Sequence, residues 1–428
     1  MEKSSNSIGT GTMIDMANYN ENLPLVDNIS ISNLSVQELL TESEVRRQLK
    51  TQPVYLKYFW KILLIISIFY SLPSIQFVLF QISEPTIECY YNYKCLRPLL
   101  GIPAFNNVVS NIGYIVAGAS FIMIVYFTSQ KEDGVHGLHT DLSLYYCLGL
   151  AITFEGVFSG LYHVCPSRLN FQFDTTYMLI GSGLLFFTLH QKRHATLTAG
   201  AFKAFSFFSL FVFLEVISLS KINVYAFWII FTVVFGYVSV VGSSYLLAHK
   251  RMELNSSFGY LVKSLKRILH PSTIEDKSRF FSILFANVLS WVIVVAFGVY
   301  SIIHSVSNNF SNLILGIMVL NFLIYLAYYI AMKYRYGEKV YLSVWILLVV
   351  MFVSWGFAIY FFEIPLTNKF LTFQESLQLN KPCVLFNYND WHDCWHYTSA
   401  LGLFSLVSVV YFIDWDLRKT PRSLIRVF

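Results

Sequence analysis

Charged side chains are scarce in this sequence. Asp, Glu, Lys and Arg together make up 13% of the 428 residues, whereas soluble globular domains carry about 25%. Apolar residues make up 55% of the chain. A large soluble protein with many buried helices would need a polar exterior, which so few charges cannot supply. The composition therefore excludes a soluble globular protein and indicates an integral membrane protein.

Two further patterns are missing. There is no series of ten-residue segments with alternating apolar and polar side chains, which excludes a typical membrane β-barrel. No short apolar core lies at the extreme N-terminus, so we expect no cleavable signal peptide. The chain instead contains continuous apolar stretches, and roughly 20 apolar residues are enough for a helix to cross the bilayer.

We therefore predict an all-α, multi-pass transmembrane helical bundle. The apolar stretches indicate about ten spans, or eleven. The ten predicted spans are residues 59–81, 106–128, 142–163, 175–190, 199–219, 224–247, 280–303, 311–332, 340–362 and 393–413.

The basic residues separate strongly between alternate loops. With the N-terminus in the cytosol, 24 of the 30 Lys and Arg residues face the cytosol. The positive-inside rule favours this orientation, in which both termini are cytosolic. Residues 1–45 are predicted to form a disordered cytosolic tail, and residues 46–428 the transmembrane domain. The basic residues predicted to lie outside are Lys94, Arg97, Arg168, Lys221, Lys369 and Lys381.

Four of the six cysteines fall in segments predicted to lie outside, namely Cys89, Cys95, Cys165 and Cys383. That side is oxidising for a protein of the plasma membrane or of endolysosomal membranes, so we predict disulfides among these four. We expect a local Cys89–Cys95 bridge and a Cys165–Cys383 bridge, although sequence alone does not determine the pairing. Cys147 and Cys394 lie within predicted spans and are expected to be packing residues.

Ionisable side chains collect at one end of the predicted bundle, and each such residue inside a span is a functional hypothesis because it is costly there. The third span reads FEGVFSGLYHVCP, in which Glu155, Ser159 and His163 are four residues apart and share one helical face. The tenth span begins DWHDCWHYTS, in which His392 and His396 share a face in the same way. The predicted orientation places all of them at the outer membrane surface.

Three imidazoles with an open fourth position are the ligand set of a catalytic zinc site. We predict that zinc is bound by His163, His392 and His396. Asp174, in the segment NFQFDTTY that opens the fourth span, would act as a base or orient water. Ser159 would donate a hydrogen bond nearby, and Glu155, one turn deeper, would be a buried hydrogen-bonding residue behind the ligands. The alternative is that these are ordinary interfacial histidines.

The second span also opens with polar side chains. Its start reads AFNNVVSNIGYIVAG, in which Asn107, Ser110 and Asn111 are at helical spacing and enter the outer leaflet. We expect them to hydrogen-bond across to the third span or to line a polar cavity behind the predicted zinc site. Purely structural bonding between helices is the alternative.

From about residue 43 to its C-terminus, the chain resembles the transmembrane half of the systemic RNA interference defective (SID) family. The resemblance is carried, in order, by EVRRQLKTQPVY, CYYNYKC, AFNNVVSNIGYI, FSGLYHVCPSRLNFQFDTTYM, HQKRH, WHDCWH and RVF. The family in turn resembles the CREST superfamily, which includes alkaline ceramidases and adiponectin-type receptors. The zinc site of that superfamily, made of a serine, an aspartate and three histidines, would fall on Ser159, Asp174, His163, His392 and His396.

The resemblance implies a role in double-stranded RNA transport, in cholesterol uptake, or in both, at the plasma membrane or lysosome. It also implies contact with membrane lipids and a homodimer. A zinc-dependent lipid amide or ester hydrolase is the alternative, and a purely structural zinc that pins the third, fourth and tenth spans together is its rival. Typical members carry a long extracellular β-rich region, which is expected to bind RNA and to support dimerisation, and one further N-terminal span. We find neither in this sequence and expect a short member that lacks the extracellular domain.

Overall fold

The computed structural model describes residues 59–83, 87–129, 136–138, 142–193, 201–218, 224–247, 262, 266, 277–303, 310–421, 424–426 and 428. The predicted N-terminal tail therefore lies outside the described residues, as do the basic residues 46–57 and Lys221. The described residues are almost entirely helical, and the only β contacts among them are isolated bridges.

Twelve α-helices and two 3₁₀ turns occur in the described residues. In chain order they are α1 Phe59–Ser83, α2 Phe105–Val109, α3 Ile112–Ser129, α4 Ser143–Val164, α5 Gln172–Arg193, α6 Ala201–Ser218, α7 Val224–Leu247, α8 Lys277–Ile303, α9 Phe310–Arg335, α10 Leu342–Phe362, α11 Phe373–Gln378 and α12 Trp391–Phe412.

Eight stretches of the described chain are long and apolar enough to cross a membrane. They comprise α1, α2 with α3, α4, α7, α8, α9, α10 and α12, which confirms the predicted helical membrane bundle. The helices α5 and α6 match the fourth and fifth predicted spans but are not among the eight. α5 carries Asp174 in its first turn, and Lys192 and Arg193 in its last. The count of ten and the orientation of the termini stay predictions.

Two helices form the centre of the bundle. The spans of α4 and α12 are 67% and 61% buried, whereas the other six are between 11% and 39% buried. α4 packs against α1, α3 and α5, and α12 packs against α3 and α10. Close approach of α4 to the α2–α3 junction requires a glycine, because a Cβ at Gly156 would lie 2.8 Å from the backbone oxygen of Asn111.

Two disulfides tie the loops at one end of the bundle, but not in the expected pairing. Cys89 bonds Cys165, and Cys95 bonds Cys383. The expected Cys89–Cys95 and Cys165–Cys383 bridges are therefore wrong, although the same four cysteines are used. The reason is that the two ends of the CYYNYKC segment lie against different loops. The Tyr90 N–H donates to the Pro166 oxygen after α4, whereas the Lys381 N–H, before α12, donates to the Asn92 side chain.

Buried charges close the opposite end of the bundle. Asp414, just after α12, accepts hydrogen bonds from Lys192 at 3.0 Å, Arg193 at 2.7 Å and Lys333 at 3.0 Å. Glu338 accepts from the same Arg193 and Lys333 at 2.6–2.9 Å. Lys192 and Arg193 belong to the basic residues that are predicted to face the cytosol, and their side chains are only 3% and 1% exposed. We call these five residues the charge cluster.

Candidate metal centre

Three histidines converge at the disulfide end of the bundle. His163 lies in the last turn of α4, and His392 and His396 lie in the first turns of α12. The ring centroids are 5.0, 5.0 and 4.6 Å apart. One ligand nitrogen from each ring lies within 4.8 Å of the others, so the three could hold a metal ion. The structure thus brings together imidazoles separated by more than half of the chain.

A serine and a carboxylate lie beside these rings. The Ser159 hydroxyl donates to Asp174 Oδ1 at 2.6 Å. The same Oδ1 lies 3.9 Å from His163 Nε2. Asp174 and His392 are partly exposed, whereas Ser159, His163 and His396 are buried. The centre is therefore buried except on the side of Asp174 and His392. Glu155 is buried two turns before His163 and is not part of this group.

The donor set fits a metal. His163 Nε2 is buried and has no hydrogen-bond partner among the described residues. An unsatisfied buried nitrogen costs about 1–3 kcal/mol, and a bound cation would remove that cost. Three imidazoles with a neighbouring carboxylate and an accessible side are the arrangement found in catalytic zinc sites. We call His163, His392 and His396 the histidine centre.

The first turn of α12 is fixed by a capping box that the sequence analysis missed. Asp390 Oδ1 accepts from the backbone N–H groups of His392 at 2.9 Å and Asp393 at 3.0 Å. Asp393 Oδ2 in turn accepts from the Asp390 N–H at 2.9 Å. The signal was available in DWHD, where an N-cap acid is followed three residues later by another. The cap holds both histidine-bearing turns in place.

The asparagines of the second span bond to this cap. Asn107 donates to Asp393 at 3.0 Å and to both oxygens of Asp390 at 3.3–3.4 Å. Asn106 donates to Asp393 at 3.0 Å. Asn111, between α2 and α3, donates to the Asn107 carbonyl oxygen at 2.9 Å. The side chains of Asn106 and Asn107 therefore bond the start of the tenth span and not, as one expectation had it, the third span, which is bonding between helices as in the stated alternative.

Contacts from the disulfide-bonded loops complete the frame. Asn92, between Cys89 and Cys95, donates to Asp390 Oδ2 at 3.1 Å. The Tyr91 hydroxyl donates to the Val164 carbonyl, at the residue after His163. Burial, with a smaller effect of neighbouring Tyr93, raises the pKa of the Tyr91 phenol, so this donor stays protonated. The loops thus hold both the end of α4 and the start of α12.

Fold and site together define a multi-pass helical membrane protein with a polar, metal-compatible centre at one membrane surface. The chain belongs to the SID-1 family, because residues 15–428 match the family model described as dsRNA-gated channel SID-1. It is 32% identical over 403 residues to SID1 transmembrane family member 1 of Rattus norvegicus, which covers 87% of this chain and 47% of that protein. The human protein of the same name is 32% identical over 401 residues.

A further relative is cholesterol uptake protein 1 of Caenorhabditis elegans. It is 30% identical over 391 residues, which covers 86% of this chain and 50% of that protein. The chain thus spans about half the length of the curated relatives it matches. The family expected from the sequence motifs is confirmed.

Proposed function

We propose that this chain is an uptake protein of the plasma membrane or of endolysosomal membranes, that its transmembrane domain takes cholesterol-type lipid, and that it holds zinc at the histidine centre. Family membership and the relative named for cholesterol uptake support a role in uptake. Lipid is favoured over double-stranded RNA by the contacts that the basic side chains make at the end of the bundle that carries the histidine centre. RNA binding depends on cations that neutralise phosphates.

Three of the five described basic residues at this end, Arg97, Arg168 and Lys369, are engaged within the protein, whereas Lys94 is exposed. The Arg97 guanidinium donates to the backbone and side-chain oxygens of Asn387 at 2.6–3.0 Å. The Lys369 ammonium lies 3.1 Å from the centroid of the Phe171 ring, and the Arg168 guanidinium lies over the Phe370 ring at 5.6 Å. A duplex would have to displace these contacts, whereas a lipid would not. Double-stranded RNA, which the family description names, is therefore the second arm of the test below.

A lipid-facing groove on α1 offers a place for the lipid. Its volume is about 480 Å³, within the usual range of small-molecule sites. It lies in the half of α1 nearest the histidine end, since Tyr70 bonds Thr176 in the first turns of α5. Apolar side chains give it affinity for a hydrocarbon skeleton, and two polar side chains can bond a hydroxyl. The groove is lined by Leu72, Ile75, Gln76, Leu79, Phe80 and Ser83.

Uptake by cells that express the full chain tests this proposal. Labelled cholesterol and labelled double-stranded RNA are supplied in parallel. Leu79→Trp fills the groove, and Val349→Trp on α10 is the matched control, because the two residues are 60% and 61% exposed. We expect Leu79→Trp to lose cholesterol uptake while Val349→Trp retains it. RNA uptake without cholesterol uptake by the wild-type chain would overturn the assignment of a lipid ligand.

The zinc part of the proposal assigns roles to residues of this chain. Bound zinc would supply Lewis acidity toward a carbonyl. His163, His392 and His396 would hold it. Ser159 gives its hydrogen to Asp174 Oδ1, which leaves Oδ2 as the oxygen that can take a proton. A metal analysis of the purified protein, with His396→Ala as the comparison, tests whether the centre binds zinc.

A zinc-dependent lipid amide or ester hydrolase is the second candidate, and the Ser159–Asp174 pair beside the histidines favours it. A structural zinc held by the three histidines would pin α4 to α12 without this pair. Purified protein is incubated with fluorescent ceramide and ester lipids, and zinc content is measured in the same samples. If the chain is a hydrolase, Asp174→Asn should lose turnover and keep its zinc. If the wild-type protein contains zinc but does not hydrolyse these lipids, the hydrolase candidate is wrong and a structural role for zinc is favoured.

A further inference from the structure

The second span is interrupted next to the histidine centre. α2 ends at Val109 and α3 begins at Ile112. The Ser110 N–H still bonds the carbonyl four residues back, at 3.0 Å, whereas the Asn111 and Tyr114 N–H groups bond carbonyls three residues back. Such tightening marks a local change from α to 3₁₀ geometry, which often accompanies a functional position. The interruption lies where the fully buried Ser110 side chain contacts α12.

The hydroxyl of Ser110 has three polar neighbours, one of which is the carboxyl group of Asp393. It donates to the Asn107 carbonyl at 2.9 Å, and it lies 2.7 Å from Nδ1 of His396. A serine hydroxyl has one hydrogen and two acceptor lone pairs. Because the Asn107 carbonyl takes the hydrogen, the oxygen accepts from Nδ1–H of His396. The Nδ1–H tautomer leaves the lone pair of His396 on Nε2, on the other side of the ring.

We propose that Ser110 is a positioning residue for metal at the histidine centre. It selects the tautomer of His396 that can bind metal through Nε2, and it fixes the plane of that ring. This inference rests on the proposed zinc centre. Partners of this kind orient metal-binding histidines, and their loss typically lowers metal affinity by about 10- to 100-fold.

Asn107 couples this selection to the start of α12. Its carbonyl takes the Ser110 hydrogen, while its side-chain amide holds Asp390 and Asp393. The tautomer of His396 and the position of its helix are thus fixed by one residue of the second span. The edge of the Tyr114 ring packs on His396 with centroids 6.0 Å apart, which restrains the ring further.

The test compares Ser110→Ala with Ser110→Thr, which keeps the hydroxyl, in the full chain. Ser405→Ala is the control, because Ser405 is a buried serine on α12 whose hydroxyl bonds only the Leu401 carbonyl among the described residues. Zinc affinity is measured by competition with a chelating dye, and the Co²⁺-loaded protein is compared by its visible absorption spectrum. Unfolding of the metal-free proteins is measured alongside.

We expect Ser110→Ala to bind zinc about 10- to 100-fold more weakly and to shift the Co²⁺ spectrum, while Ser110→Thr and Ser405→Ala stay near wild type. If Ser110→Ala fails to fold, Ser110→Cys, with a weaker acceptor, should give an intermediate affinity. Unchanged affinity and spectrum in a folded Ser110→Ala or Ser110→Cys protein would overturn the role of Ser110 and leave the zinc centre standing. A wild-type chain that binds no zinc would instead remove the centre and this inference together.

Discussion

Replacing Asp414 with Asn removes the carboxylate on which three cations of the charge cluster converge. Arg193 and Lys333 keep Glu338 as a partner at 2.6–2.9 Å in this variant. Lys192 does not, because Asp414 is the carboxylate that it contacts among the described residues. Asp414 and Lys192 are both buried, with side chains 0% and 3% exposed. The main cost of the substitution is therefore a buried ammonium group without its counter-charge.

Removing one partner of a buried ion pair costs about 3–5 kcal/mol. The three hydrogen bonds of Asp414 to cations do not add to that figure in full, since two of the cations keep Glu338. We thus expect Asp414→Asn to lower the free energy of unfolding by about 3–5 kcal/mol. Lys192→Met in the same chain should recover part of the loss, because it removes the unpaired charge.

Unfolding of the purified full chain in detergent, followed by SDS titration, measures these differences. Asp416→Asn is the control, since Asp416 bonds Lys333 at the rim of the cluster, where its side chain is 9% exposed. It should cost clearly less than Asp414→Asn. If Asp414→Asn unfolds with the wild-type midpoint, or if Lys192→Met brings no recovery, the charge cluster does not hold this end of the bundle as we argue.

Three further predictions concern the rest of the bundle. If the histidine centre binds zinc as proposed, chelation should lower the melting temperature of the wild-type chain but not that of His396→Ala, which lacks one of the three ligands; melting curves with and without chelator check this. Gly156→Ala should cost about 1–3 kcal/mol in the same unfolding assay, since its Cβ would lie 2.8 Å from a backbone oxygen of the second span, whereas Gly181→Ala, with no atom within 4 Å, should not. Cys95→Ser should make Cys383 reactive to maleimide without reductant, because the two form one disulfide; an unreactive Cys383 would contradict the pairing.

The sequence was sufficient for the helices and for the histidine centre because both depend on local periodicity. Apolar stretches of span length predict helices, and residues four apart on a helix share a face. His163 and the pair on α12 lie at the same end of their helices once the spans alternate in direction. Their proximity therefore follows from the order of the spans and from the positions of the histidines within them.

What the sequence did not reveal depends on contacts between distant parts of the chain. The sequence places Lys192 and Arg193 in a cytosolic turn, because basic residues at a span end usually face the cytosol, and it gives no sign of their burial. Glu338 is 145 residues from Arg193 and Asp414 is 221 residues from it, so nothing local marks them as partners. The disulfide pairing has the same origin, since the loops that face each cysteine are set by the packing of α4 and α12.

Two helices connect the histidine centre with the charge cluster. α5 carries Asp174 at one end and Lys192 at the other, roughly 27 Å apart at 1.5 Å per residue. α12 carries His396 at one end and is followed by Asp414 at the other. Metal held by His163 of α4 and the two histidines of α12 would restrain α12 at one end, and the ion pairs of α5 with Asp414 restrain it at the other. Because α4 and α5 pack together, both would restrain the same variable, the tilt of α12 relative to that pair. Restraints on one variable are not additive.

That coupling separates a structural zinc from a purely chemical one. If zinc pins α12 against α4 at the histidine end, its removal should cost more in Asp414→Asn, where the opposite end of the bundle is already loosened, than in the wild-type chain. If zinc serves chemistry alone, the two losses should be equal, because the helices are then held by packing and by the capping box of α12. Chelator-dependent unfolding of the two proteins, measured as a double-mutant cycle with metal as the second change, decides between them.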